Sequence, residues 1–332
     1  MNFKPSAVQM KRIVNQHILA AVLMILLSAL GNNKLLAQEA GYFNHQYLQP
    51  VLINPGATGF QGDHQILAGY KHMWSDFPGA PRTFTALYNG SFADNLGLGF
   101  QLLTDRIGLS QLTHGQLNFA YKLDLNEVKL SMGISAGLET HKITDTQDDP
   151  FIDPSDPLLN EAIDGYTLFD GGFGIYGEAS EKLFFGVSFP NLVKNRLTDI
   201  SGDINLPEFD EFSYAFLLGY RFEIENYDFT VEPSVTVKDL RYSPFLIDAN
   251  VKFSFLDEQL VGGVGYTLGD NSRASLLLGT RINNLRVYYS YDVSLGDFQD
   301  YNNGSHEITL VYRIPRKSNS SEVTPEAPMG VE

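Results

Sequence analysis

Two glycine motifs, one carboxylate-rich run and seven histidines are the residues of this 332-residue sequence whose types and spacing could do chemistry. Gly133-Ile134-Ser135-Ala136-Gly137 has the G-x-S-x-G spacing of a nucleophile elbow, which needs a sharp strand-to-helix turn to expose its serine. Here the motif sits inside unbroken alternation, so that turn is missing and the serine reads as an ordinary strand residue. Gly172-Phe173-Gly174-Ile175-Tyr176-Gly177 has the G-x-G-x-x-G spacing that cradles a pyrophosphate where the glycines open a helix. The residues that follow, EKLFFGVSF, read as another strand, and the glycines are better explained as leaving room on one face.

The run between Thr144 and Asp164 carries Asp145, Asp148, Asp149, Asp153, Asp156 and Glu161. Clustered carboxylates are hard-oxygen ligands for calcium, but the spacing is not that of an EF-hand. A solvated acidic loop is the reading, with bound calcium as its alternative, and no cofactor is expected. The histidines are scattered; His141 and His306 fall near strand ends without a motif that supplies a nucleophile or general acid, so no enzyme is expected.

A formal net charge of -16 excludes the basic stripe that an electrostatic nucleic-acid binder needs. The absence of cysteine excludes disulfides, thiolate metal sites and a cysteine nucleophile. Lys11 and Arg12 precede an apolar run from Ile18 to Leu30, and Leu35-Leu36-Ala37 ends in a small residue. Residues 1–37 are therefore expected to be a signal peptide, with Gln38 the first mature residue, since the run falls short of the ~20 residues that span a bilayer.

The elements that must position these residues are strands. In the stretch from Leu285 to Ile314, Leu285, Val287, Tyr289, Tyr291 and Val293 alternate with Arg286, Tyr288, Ser290 and Asp292, and Ile308, Leu310, Tyr312 and Ile314 alternate with Glu307, Thr309, Val311 and Arg313. A period of two puts alternate side chains on opposite faces of a strand. The pattern recurs near 63–72, 82–92, 96–104, 110–124, 127–141, 165–178, 181–190, 211–223, 226–238, 243–256, 259–268, 272–283, 285–296 and 304–314. The fold class is all-β: about fourteen antiparallel strands forming a transmembrane outer-membrane β-barrel. In such a barrel a Lys or Arg on the lipid face costs about 2–4 kcal/mol at the midplane, and essentially no charge falls on the apolar faces. Glycine, serine and charges such as Lys122, Asp248, Lys252, Arg273, Arg281 and Arg286 fall on the other face, which suits a watery lumen.

Connectors alternate between brief and long, as periplasmic turns and external loops do. The long ones are Met73 to Pro81, Lys142 to Asp164, Asn191 to Asp210 and Gly296 to Asn303. The expected organisation is then a periplasmic or plug-like segment over 38–62, a barrel over 63–314 and a disordered periplasmic tail over 315–332, with both termini periplasmic. Pro233, on an apolar face, is expected to force a bulge, because proline removes a ladder hydrogen bond.

Leu52-Ile53-Asn54-Pro55, Met73-Trp74, Gly79-Ala80-Pro81-Arg82-Thr83, Asp105-Arg106-Ile107-Gly108, Asp149-Pro150-Phe151, Phe184-Phe185-Gly186-Val187-Ser188, Pro190-Asn191-Leu192, Glu232-Pro233-Ser234 and His306-Glu307-Ile308 occur in that order. In this the chain resembles the PorP/SprF outer-membrane proteins of type IX secretion and gliding systems of Bacteroidetes. Gly56 departs from the alanine of many members. The resemblance implies a non-enzymatic barrel that helps export, anchor or display surface proteins, often adhesins, bearing a C-terminal sorting domain. It also implies contact with periplasmic or outer-membrane secretion or motility components, and with lipid and lipopolysaccharide. The alternative function is a diffusion channel or small-substrate transporter. Long loops on a rigid scaffold usually carry recognition, so Trp74, Pro81, Asp149, Asp153, Asp156 and Leu192 are the candidate partner-binding residues.

Overall fold

In a computed structural model of the chain, the described residues are 43–144, 163–196, 212–224, 227–240, 245–269, 272–295 and 297–316. Alternation becomes fourteen antiparallel strands. They are β1 (His64–His72), β2 (Arg82–Ala93), β3 (Leu96–Ile107), β4 (Ser110–Leu125), β5 (Val128–Ile143), β6 (Tyr166–Ala179) and β7 (Leu183–Arg196). Next come β8 (Tyr214–Tyr220, continued as Phe222–Ile224), β9 (Phe229–Asp239), β10 (Leu246–Phe255), β11 (Leu260–Leu268), β12 (Arg273–Ile282), β13 (Leu285–Ser294) and β14 (Ser305–Ile314). Each pairs with its neighbours in sequence, and β1 closes on β14 from His64 opposite Ile314 to His72 opposite His306. Closure gives every strand a hydrogen-bonded neighbour on each side, which a membrane demands because lipid offers the backbone no hydrogen bonds.

The short connectors sit at one rim, where Asn126 and Asn283 take positive φ (63° and 55°), the backbone a tight hairpin requires. The long ones sit at the other. The outward face is apolar and open: Leu117 is 65% exposed, Ile134 58% and Leu276 52%. A continuous belt of this kind is a lipid-facing surface, since soluble chains rarely leave large contiguous apolar patches.

Several details correct the sequence reading. β7 runs on to Arg196, so Leu192 lies in a strand and not in the following loop. Its ladder with β6 shifts between Gly171 and Phe173, where Pro190, Asn191 and Leu192 stand against Gly172 alone and Asn191 takes φ 61°. The expected bulge at Pro233 is absent. Pairing with β10 continues through Pro233 opposite Val251, and on the β8 side Val231 opposite Phe222 and Ser234 opposite Gly219 keep one register. The missing N–H falls where β8 is interrupted at Arg221, beside Tyr220, which the register places opposite Pro233, while the Arg221 amide continues the ladder to β7 by donating to Lys182 (2.8 Å).

Phe43–Gly62, expected at the periplasmic mouth or as a plug, lies inside the barrel as three short 3-10 turns, Asn44–Tyr47, Pro50–Leu52 and Pro55–Ala57. Phe43 packs at Gly69, toward the rim with long connectors, and Gly62 leaves at the rim with short turns. Among the described residues, the segment thus starts toward the rim with long connectors and enters β1 at the rim with short turns, where β14 also ends.

Candidate functional site

The lumen is built to hold this plug. Val51, Ala57 and Phe60 form one buried cluster with Leu67, Leu87, Val261, Leu277, Tyr288 and Val311 of the wall. Leu67 stands directly opposite both Val311 and Leu87, so three adjacent strands present one apolar row inward, beneath polar neighbours. Phe60 meets Tyr176 edge-on at 4.8 Å between ring centroids.

Asn54 is wedged into the wall of β6 and β7. Its amide donates to the Ile175 carbonyl (2.9 Å) and, more weakly, to that of Val187 (3.4 Å), while its Oδ1 accepts from Gly56 N (2.9 Å). Glycine makes this approach possible: a Cβ on Gly133 would overlap the Pro55 carbonyl, one on Gly174 the Asn54 side chain, and one on Gly97 the Thr58 carbonyl. One glycine from each of the motifs that suggest a nucleophile elbow and a dinucleotide loop thus seats the plug, Gly133 standing directly opposite Gly174.

Toward the other rim the plug is clamped by charge. The Glu307 carboxylate accepts from the amides of Asn44 (2.7 Å) and His45 (3.0 Å). Asn44 donates through its side chain to Asp292 and accepts from Lys71 (3.1 Å) and Arg273 (3.4 Å). His45 Nδ1 lies 2.8 Å from Thr309 Oγ1 and 3.1 Å from Glu307, while its Nε2 is buried with no hydrogen-bond partner. Burial pushes this imidazole below its ordinary 6.5, against the attraction of Glu307 and Asp292 and with the repulsion of Lys71. It is a neutral ring that donates from Nδ1.

Between the plug and β6–β10 with β13 a cavity of about 380 Å³ remains, lined by Tyr47 and Gln49 of the plug and by a network of paired charges. Lys252 lies 3.0 Å from Glu232 and 3.1 Å from Glu258, and Arg286 lies 2.8 Å from Glu258. Glu258 sits in the turn after β10; burial alone would raise its carboxyl, but Lys252 and Arg286 hold it below its usual value. Charges so placed are satisfied by one another, as ionisable groups at membrane depth must be.

Trp74 and Pro81 lie in the connector between β1 and β2. Trp74 N donates to Ser305 Oγ (3.1 Å) and Met73 N to the Pro81 carbonyl (3.0 Å), which ties the connector to itself and to the start of β14. Pro81 is buried, and the exposed tip is Asp76-Phe77-Pro78-Gly79, which the sequence reading passed over. Asp149, Asp153 and Asp156, with the calcium alternative, lie outside the described residues. Leu192 is half-buried in β7. Of the six, Trp74, Pro81 and Leu192 are among the described residues, and the residues brought to the plug are others: Asn54, Pro55, Gly133, Gly174 and Glu307. Asn54-Pro55-Gly56 turn chemistry and small residues on the lumen face are signals of that in the sequence.

A family profile described as "Type IX secretion system membrane protein PorP/SprF" matches residues 35–312. No curated protein matches the chain. Among solved structures, the outer membrane protein Omp33 of Acinetobacter baumannii is similar at 7% identity and TM-score 0.44, covering 78% of this chain and 100% of its own. The CymD monoaromatic hydrocarbon channel is similar at 12% identity and TM-score 0.48, covering 82% of this chain and 93% of its own.

Proposed function

Because the chain belongs to the PorP/SprF family of type IX secretion system membrane proteins, we propose that it is a docking component of that system and not a pore. Its task in this reading is to help export, anchor or display surface proteins bearing a C-terminal sorting domain, without chemistry of its own. The observation that carries the reading is the occupied lumen: a plug wedged at Asn54 and clamped at Glu307 leaves the rims as the surfaces offered to partners. Taking the long connectors as external, the Asp76–Gly79 tip faces secreted cargo, and the short-turn rim faces periplasmic components.

The test is deletion of the gene followed by analysis of cell-surface proteins. Loss of secretion or display of at least one sorting-domain protein is expected, with defective surface spreading. Unchanged display of every such protein would count decisively against the proposal. A diffusion channel is the second reading, supported by the charged cavity beside the plug. It requires that the plug move.

A further inference from the structure

The outward faces of the strands are almost free of charge, and among the described strands the outward lysine and arginines fall in one place. His306, His72, Arg82, Arg106, Gln111 and Lys142 stand directly opposite one another in unbroken register across β14, β1, β2, β3, β4 and β5. Five inter-strand steps of ~4.8 Å make this a row about 24 Å long. Each member shares its face with the apolar belt, and the residues that alternate with them, Glu307, Lys71, Thr83 and Asp105, point into the lumen and are buried. Arg82, Arg106 and Lys142 are exposed and are the Arg and Lys residues on outward faces among the described strands. The outward carboxylate, Asp239, is at the end of β9, four strands beyond the row.

Depth in the membrane gives the row its meaning. Two residues along β14, β1 and β2 stand exposed apolar groups, Ile308 at 42%, Tyr70 at 42% and Phe84 at 44%; on β3, β4 and β5 that place is held by Thr104, Thr113 and Thr140, with exposed Leu102 and Leu138 next on β3 and β5. The cations thus begin where the hydrocarbon ends, a level at which a charge meets headgroups and its cost falls to about 0–1 kcal/mol. Guanidinium groups bind phosphate in a two-pronged fashion, and the apolar surface below accepts acyl chains.

The geometry points to a binding site, on the outer surface of β14 and β1–β5, for the phosphates of a phosphorylated glycolipid of the outer leaflet. The choice of leaflet rests on the reading above that the long connectors are external. The chemistry of the row does not depend on any role in secretion.

The experiment uses the purified full-length protein in detergent, with bound lipid read by native mass spectrometry after addition of lipid A, dephosphorylated lipid A or phosphatidylglycerol. Wild type is expected to retain lipid A at least tenfold better than the other two. Arg82→Gln/Arg106→Gln/Lys142→Gln should lose that preference, and Lys182→Gln, at the opposite rim, should keep it. Heat-shifted migration on a gel checks that the triple variant is folded, and if it is not, Arg106→Gln alone should cost two- to fivefold. Unchanged retention by the variants, or equal retention of dephosphorylated lipid A, would overturn the site. Equal retention of phosphatidylglycerol would overturn the glycolipid. None of these outcomes alters the cargo-display test, so the two ideas fail separately.

Discussion

At the scale of single residues, the plug depends on absent side chains as much as on present ones. A side chain at Gly174 would occupy the space that Asn54 fills, so Gly174→Leu should unseat the plug at a cost of about 1–3 kcal/mol, the usual penalty of overpacking. The chain has no cysteine, so a single Thr58→Cys, at a position 1% exposed, reports this directly. It should resist maleimide in the wild-type background and react in the Gly174→Leu background. His45 adds a pH dependence. Its docked imidazole titrates below the ordinary 6.5, so a released plug takes up a proton that the docked one refuses. Docking is therefore favoured above about 6.5 and weakens as pH falls through that value. Hydrogen exchange of residues 44–47, corrected for intrinsic rate, should speed up between pH 7.5 and 5.5, and an unchanged corrected rate would contradict the assignment. These contacts were hidden in the sequence because their partners lie far along the chain: Asn44 meets Glu307 and Asn54 meets Ile175. The hints were apolar Leu67 and Val311 on an otherwise polar face, residues with no reason to be there in a water-filled lumen.

At the scale of elements, the strands were legible because a period of two is a local signal, written within ten residues and repeated fourteen times. What the pattern could not convey was where alternation continues through irregular backbone. The Pro190-Asn191-Leu192 bulge reads locally as a turn, and only pairing with β6 shows that β7 goes on. Pro233 misled in the opposite sense, since its lost hydrogen bond falls where the neighbouring strand is interrupted and its own strand keeps its register. The lipid-facing role of the apolar face makes its own prediction. Ile134→Arg, in mid-strand and 58% exposed, should destabilise the barrel by about 2–4 kcal/mol when folding is measured into lipid vesicles. Ser135→Arg, one residue away and facing the lumen, disturbs packing instead. An Ile134→Arg variant as stable as wild type in vesicles would mean that this face does not meet hydrocarbon.

At the scale of the whole molecule, the plug runs from the rim with long connectors to the rim with short turns. If the long connectors are external, a cysteine replacing Phe77 at the exposed tip and one replacing Asn126 in a short turn should label from opposite sides. Phe77→Cys should react with an impermeant maleimide on intact cells, and Asn126→Cys only after the outer membrane is opened. The reverse pattern would invert the proposed orientation. Both outcomes leave intact the claim on which the functional reading depends, that the barrel is closed by its own N-terminal segment. Single-channel recording in planar bilayers tests that claim most directly. Purified wild-type protein should give no steady current while Gly174→Leu conducts, and robust ligand-independent currents from the wild type would contradict the account.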